Sequence, residues 1–225
     1  MSQPSESDFE QLRDLMIELI TAYASLSGER TGRGELDPRV LAAMARVPRH
    51  VYVPDEVRDY AYADGPLPIG YGKTISQPFI VALMTDLLEV EADLRVLEIG
   101  TGLGYQAAVL CELAGQVYSV EIIAELAEGA RQRLTAAGYE NLELRLADGG
   151  QGWPEEAPFD RIIVTAAPEL VPAPLLQQLK PGGRLVIPAG LEDAQELMVI
   201  EKGLDGRTTT EEILPVVFSR LITRH

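Results

Sequence analysis

Three glycines at alternate positions, Gly100, Gly102 and Gly104, follow the apolar run Val96-Leu97-Glu98-Ile99 and precede Gln106-Ala107-Ala108-Val109-Leu110. The pattern reads as strand, tight turn and helix, a turn at which the backbone can approach a ligand that a Cβ would push away. The dinucleotide fingerprint spaces its glycines G-x-G-x-x-G and sets a pyrophosphate on the helix N-terminus. Here the spacing is G-x-G-x-G, with Thr101 and Leu103 between, and Glu98 stands just ahead of the first glycine. An anionic side chain facing the same crevice disfavours pyrophosphate and suits a cationic ligand such as S-adenosylmethionine. Plain close packing is the other use of such a turn.

Two acids further along extend the pattern. Val117-Tyr118-Ser119-Val120 reads as a second buried strand ending in Glu121, about 20 residues after the glycines, where a doubly wound sheet places the carboxylate that binds ribose hydroxyls. Leu142 to Ala147 alternates as a third strand and ends in Asp148-Gly149, an acid able to accept from an adenine amino group beside a residue that leaves room for the ring. Ligands of open α/β sheets bind at the carboxyl ends of the strands, and three acids at three successive ends fit that rule.

The elements that must position these residues follow from periodicity. Apolar residues from Phe9 to Tyr23 recur at helical spacing, an amphipathic helix lying on the main body or a partner. Gly28 to Gly34 reads as a link, and Asp37-Pro38 opens a second helix with the acid at N-cap and proline at N1. The stretch from Tyr60 to Pro78 is rich in proline, glycine and aromatics yet too apolar for a linker, so it folds over something. Ser76 with Pro78 starts a helix through Leu88, and an ordinary helix cap would account for Ser76. Phe159 to Thr165 is a fourth strand, Pro174 to Leu179 a short helix, Lys180 to Gly183 a turn and Arg184 to Pro188 a fifth strand. Glu196 to Glu201 and Glu211 to Val217 form a last hairpin. The fold class is therefore α/β: a Rossmann-like, doubly wound sandwich, mostly parallel, with a C-terminal antiparallel hairpin.

With 225 residues, 46% of them hydrophobic, the chain can bury one sizeable core. Its 35 acids against 19 bases give a net charge of −16, which repels a phosphate backbone and argues against nucleic acid as partner. One cysteine, Cys111 in the helix after the glycine turn, excludes a disulfide framework. No metal site is expected, because the two histidines and the cysteine are scattered. With neither a secretory signal nor an apolar run of membrane-spanning length, the expected setting is the cytoplasm, with no membrane partner. His50 has no carboxylate or nucleophile beside it in the sequence and reads as structural rather than as a general base.

Arg46-Val47-Pro48-Arg49-His50, Ala61-Tyr62-Ala63-Asp64, Leu67-Pro68-Ile69-Gly70, Thr74-Ile75-Ser76-Gln77-Pro78 and Val96-Leu97-Glu98-Ile99-Gly100-Thr101-Gly102 together resemble the protein-L-isoaspartate O-methyltransferases, bacterial type. The resemblance continues through Pro158 to Pro168 and Pro181 to Leu185 and covers roughly residues 35 to 190. It implies methyl transfer from S-adenosylmethionine, leaving S-adenosylhomocysteine, to the free carboxylate of L-isoaspartyl residues in damaged proteins and peptides. The methyl ester then closes to a succinimide, which starts repair. Carried over by position, Ser76 is the active-site serine; Thr74, Ile75, Glu98, Gly100, Thr101, Gly102, Gly104, Glu121, Asp148 and Gly149 are the cofactor positions. The chain then divides into an N-terminal helix and linker (1–34) and a methyltransferase domain (35–225), made of a substrate-side cap and helix (35–90), a cofactor-binding core (91–190) and a C-terminal hairpin (191–225).

The chemistry matches what the chain lacks. A carboxylate is already ionised at neutral pH and needs no general base to attack a sulfonium methyl, so no catalytic His or Cys is expected. Lys73 replaces the glutamine usual in bacterial relatives, and the tail Val216 to Leu221 follows the family ending only loosely. Both bear on acceptor choice. Alternatives are a methyltransferase of this fold acting on a small carboxylate and a non-catalytic protein retaining the fold. A nucleic-acid amino-methyltransferase would carry Asn/Asp-Pro-Pro-aromatic where Thr165-Ala166-Ala167-Pro168 stands.

Overall fold

The computed structural model describes residues 4–223. A seven-stranded sheet has the order β5-β4-β3-β6-β7-β8-β9, where β3 is Arg95–Ile99, β4 Gln116–Glu121, β5 Leu142–Leu146, β6 Phe159–Val164, β7 Leu179–Leu191, β8 Ala194–Lys202 and β9 Thr208–Val216. β3 to β7 run parallel, and β8 and β9 are antiparallel additions. The connections leave β3 toward β4 and β5 on one side and return to β6 and β7 on the other. The crevice between β3 and β6 is thus the topological switch point, the usual ligand position in such sheets.

Period-two alternation sorts the strands' side chains. Val96, Val117, Ile163 and Val186 join the core under α1 (Glu6–Thr31), α2 (Pro38–Arg46), α3 (Pro78–Leu88), α4 (Tyr105–Cys111) and α5 (Ala124–Ala136). Leu97, Ile99, Tyr118, Val120, Ile162 and Val164 face the opposite side, against Leu175 of α6 (Ala173–Gln178) and Trp153. Burial on both faces explains why these strands read as near-continuous apolar runs.

Three expectations about element limits are corrected. The first helix starts earlier, because Ser5 and Asp8 form a reciprocal capping box, and ends later, at Gly32 in the left-handed region. Gly28 therefore lies inside α1 rather than in a link; its Cα packs close to Gly34, where a side chain would not fit. Lys180-Pro181-Gly182-Gly183 is not a separate turn but an irregularity within β7, with a register shift opposite Phe159 and Arg161. Finally, α3 is capped by Gln77, with Pro78 in the first turn, so Ser76 lies outside the helix and the cap does not account for it.

The N-terminal helix belongs to the core. Phe9, Met16, Ile20 and Ala24 are buried, and α1 packs on α3 and α2. Phe9 stacks on the buried His50 ring at 4.1 Å between centroids, and His50 Nδ1 lies 2.8 Å from the Tyr62 hydroxyl. Burial pushes the His50 pKa down, against the raising effect of the Glu6 carboxylate 3.5 Å from Nε2. β1 (Leu67–Gly70) and β2 (Lys73–Ile75) form a small antiparallel hairpin that carries the chain to Ser76.

Candidate active site

At the carboxyl ends of the parallel strands lies a cavity of about 740 Å³. Ile99 and Gly100 from β3, Val120 and Glu121 from β4, Gly149 after β5, and Thr165 and Ala166 after β6 form one wall. A second part of the lining is Lys73, Thr74, Ser76 and Gln77 from the hairpin and its exit, Ile80 of α3, and the tail from Phe218 to Ile222. A smaller inner void of about 50 Å³ touches Ile75, Ser76, Gly100, Thr101, Gly102 and Tyr105.

The glycine turn is dictated by close approach. Gly100 has φ +96, and a Cβ there would collide with Thr165 Oγ1. That hydroxyl donates to the Gly100 carbonyl at 2.6 Å and reaches the Ile99 carbonyl at 3.1 Å, fastening the turn to the end of β6. Gly102 donates its N–H to Glu121 Oε2 at 2.8 Å. Gly104 does not border either cavity. It caps α4, and a Cβ would lie 2.9 Å from Leu134 Cδ1, so its small size serves the packing of α4 on α5. Gly149 lines the cavity, but the space its missing Cβ leaves is taken by Ile99 rather than left for a ligand.

The three acids divide into different roles. Glu121 is on the cavity wall, its Oε2 engaged by Gly102 and its Oε1 accepting from the backbone N–H groups of Ile122 and Ile123 at 2.9 and 3.0 Å. A carboxylate held this way is fixed in place, with lone pairs left for a diol. Asp148 caps the short turn at Gly149–Gln151, Oδ1 accepting from Gly150 N at 2.8 Å. Glu98 corrects the expectation that it faces the crevice: it lies on the Val96 side of β3, fully buried, and borders neither cavity. The register places it opposite Ser119, whose hydroxyl donates to Glu98 Oε2 while Thr101 Oγ1 lies 2.5 Å from Ser119 Oγ. Glu98 therefore acts from beneath the turn, through Ser119 and Thr101, and its Oε1 has no hydrogen-bond partner among the described residues.

Burial pushes the Glu98 carboxyl up to about 8, against the lowering effect of the Ser119 hydroxyl. Such a group holds its proton more tightly folded than unfolded, so between about pH 4.5 and about pH 8 the native chain binds more protons and stability falls as pH rises. The contribution is intact below that window and fully lost above it. Glu98→Gln is neutral throughout, so its urea midpoint is expected to gain on wild type from about pH 5 to about pH 8. A difference that does not change with pH would place the titration elsewhere.

Ser76 is half-buried on the cavity wall, and its hydroxyl makes no hydrogen bond among the described residues. Its carbonyl, by contrast, accepts from Arg49 Nη2 at 2.7 Å. Across the cavity the tail is tied down: Gln195 exchanges hydrogen bonds with Phe218 N and O, Ala167 pairs with Ser219 and Leu221, and Lys73 Nζ donates to the Arg220 carbonyl at 3.2 Å. Arg220 itself pairs with Glu169.

Residues 25–225 match the family model of the protein-L-isoaspartate(D-aspartate) O-methyltransferases. The chain belongs to that family. A protein-L-isoaspartate O-methyltransferase of Polaromonas sp. is 57% identical over 217 residues, 96% of this chain and 92% of the relative. Its counterpart in Syntrophobacter fumaroxidans is 56% identical over 95% of this chain and 87% of its own. A solved protein-L-isoaspartate O-methyltransferase superposes with a TM-score of 0.81 at 28% identity over 92% of this chain, which spans 65% of that longer chain. A Plasmodium falciparum structure described as a candidate protein-L-isoaspartate O-methyltransferase, in complex with S-adenosyl-L-homocysteine, gives a TM-score of 0.80 at 22% identity over 94% of this chain and 99% of its own, a likeness of fold.

Within this isoaspartate methyltransferase chain, the cavity gathers Thr74, Ser76, Gly100, Gly102, Glu121 and Gly149. Ile75 and Thr101 border the inner void, and Glu98 and Gly104 stand behind the turn. Sequence reasoning missed Thr165 and Gln195. Thr165 was signalled, since it ends the fourth parallel strand as Glu121 ends the second; Gln195, on the antiparallel hairpin, carried no local signal. No group of His, Cys, Asp and Glu able to hold a metal occurs among the described residues. No described helix is long and apolar enough to cross a membrane.

Proposed function

We propose that this chain transfers a methyl group from S-adenosylmethionine to the free carboxylate of L-isoaspartyl residues in proteins and peptides. The observation that carries the reading is the meeting of two walls in one cavity: a glycine turn with an anchored acid on one and a serine with an uncommitted hydroxyl on the other, with turn and serine both bordering the inner void. The donor fits the first wall. Gly100 and Gly102 offer bare backbone, Glu121 an ordered carboxylate for the ribose diol, and Gly149 the adenine end, where Asp148 borders neither cavity and holds the turn through Gly150 N; Thr74 and Ile75 lie beside the glycine turn. Glu98, Thr101 and Gly104 support the turn from behind. When bound, S-adenosylmethionine supplies an electrophilic methyl on a sulfonium.

What the protein contributes is placement. The acceptor carboxylate is ionised at neutral pH, and neither His50 nor Cys111 lines the cavity. Ser76 Oγ donates to the acceptor and orients one carboxylate oxygen in line, about 3 Å from the carbon it attacks. The low-polarity walls of Ile69, Ile80 and Ile99 favour a step in which opposite charges cancel. Methanol leaves more readily than hydroxide, so the next backbone nitrogen attacks the ester carbonyl and expels methanol to close a succinimide, which hydrolyses partly to normal aspartate. The net charge of −16 disfavours nucleic acid as acceptor, and the one free, buried cysteine suits a cytoplasmic setting.

A second acceptor class is favoured by one observation only, that Lys73 is joined to the tail at the acceptor side of the cavity. Labelled S-adenosylmethionine offered with two peptides of one sequence, one aspartyl and one isoaspartyl, separates the readings. Base-labile label on the isoaspartyl peptide alone is expected. Label on neither, with S-adenosylhomocysteine binding intact, would move the acceptor to another carboxylate.

A further inference from the structure

The guanidinium of Arg49 is fully buried, an unusual place for a permanent charge. It sits 27 residues before Ser76 and borders neither of the two cavities described above, yet its hydrogen bonds converge on the acceptor side of the site. Nη2 donates to the Ser76 carbonyl at 2.7 Å and Nε to the Ala61 carbonyl at 2.8 Å. The guanidinium lies 4.9 Å from the centroid of the Tyr105 ring, and Tyr105 directly follows Gly104 and borders the inner void with Ser76 and Gly102. One side chain thus touches the serine's backbone, the folded-over stretch before the hairpin, and the first residue of the helix that the glycine turn opens. A second tie acts next door: Gln77 Nε2 donates to Asp64 Oδ2 at 2.7 Å.

We infer that Arg49 is a positioning residue for methyl transfer, holding Ser76 by its carbonyl at a fixed distance from the glycine turn, with Asp64 steadying Gln77 as a second anchor. The inference rests on the reading of Ser76 as the group that orients the acceptor. Ser76 lies just before a helix that it does not cap, so nothing in α3 itself fixes the serine's position. Burial lowers the Arg49 pKa to about 10, which still leaves it charged at neutral pH, and Tyr105 offsets part of that loss. A buried cation with Nη1 lacking a partner among the described residues is costly to keep in a core, and a packed apolar residue would be cheaper. Its retention is explained when the bonds it makes set catalytic geometry. A lysine cannot replace it, because one ammonium cannot serve both carbonyls in the planar fork that arginine provides.

Arg49→Lys is expected to lower kcat about tenfold while S-adenosylhomocysteine affinity stays within about twofold, and to raise amide hydrogen exchange in residues 74–77. Added guanidinium is expected to restore part of the activity of Arg49→Ala. In the Ser76→Ala background the Arg49→Lys loss is expected to shrink to under about threefold, because both changes remove the same placement. A purely structural role predicts a lower melting temperature with kcat unchanged well below it, and an effect independent of Ser76 predicts an Arg49→Lys loss that stays about tenfold in the Ser76→Ala background. Either result overturns the inference. If Arg49→Lys does not fold, Asp64→Ala carries the test, with unchanged kcat and unchanged exchange at 74–77 counting against it. If Ser76→Ala alone has no effect, the reading of Ser76 fails by itself, and the anchor is judged on exchange, where equal protection of 74–77 in Arg49→Lys and wild type rejects it.

Discussion

Ser76→Ala is expected to lower kcat for isoaspartyl peptide about tenfold or more, the size of one transition-state hydrogen bond, while leaving the fold intact. The structure separates the two effects unusually well. The Ser76 hydroxyl has no hydrogen bond among the described residues and is half-buried on a cavity wall, so its removal strands no partner and opens no internal void. The features that hold the segment, the Arg49 bond to the carbonyl and the Gln77 bond to Asp64, do not involve the hydroxyl. Steady-state kinetics with an isoaspartyl peptide, beside a urea titration, give both numbers. A kcat within twofold of wild type would remove Ser76 from the mechanism.

Gly100→Ala is expected to weaken S-adenosylhomocysteine binding by about 100-fold, or about 2.7 kcal/mol, measured by calorimetry. Two costs coincide at this position. An alanine at φ +96 is strained by about 1 to 3 kcal/mol, and its Cβ would meet Thr165 Oγ1, displacing the hydroxyl that fastens the turn to β6. Gly138, also at positive φ but with nothing within 4 Å of a Cβ, isolates the first cost. Gly138→Ala is expected to lower stability by about 1 kcal/mol and leave binding alone. Thr165→Ala in the Gly100→Ala background should recover part of the affinity; no recovery would assign the whole loss to backbone strain.

The sheet and the donor wall were legible because they rest on local regularities. Val96 to Gly104, Val117 to Glu121 and Phe159 to Thr165 each carry a strand and its end in consecutive residues, and the topology brings those ends together. Glu98 shows where such reading stops. Its place in the motif suggested the crevice, but strand alternation puts it with Val96 on the helix-covered face, opposite Ser119. Gly149 was found for an incomplete reason, since the neighbour that forbids its side chain, Ile99, is 50 positions away and known only once the strands are paired. The acceptor wall was legible only through resemblance. Its determinants, Arg49 to Ser76, Gln195 to Phe218 and Lys73 to Arg220, are contacts between distant segments that no periodicity records.

The last strand of the sheet has a consequence for how copies of this chain behave in a crowded solution. Among the described residues β9 is bonded only to β8, so its outer row of N–H and C=O groups is a template on which a second chain could add. Residues 208–212 of that strand are exposed and end in Glu211 and Glu212, with Pro215 near its far end. A copy approaching in register would set carboxylates against carboxylates and meet a residue with no N–H to give. The barrier against this ribbon-like self-association is largely electrostatic, and salt screens it. High ionic strength should therefore cost the chain its colloidal stability while the fold stands intact.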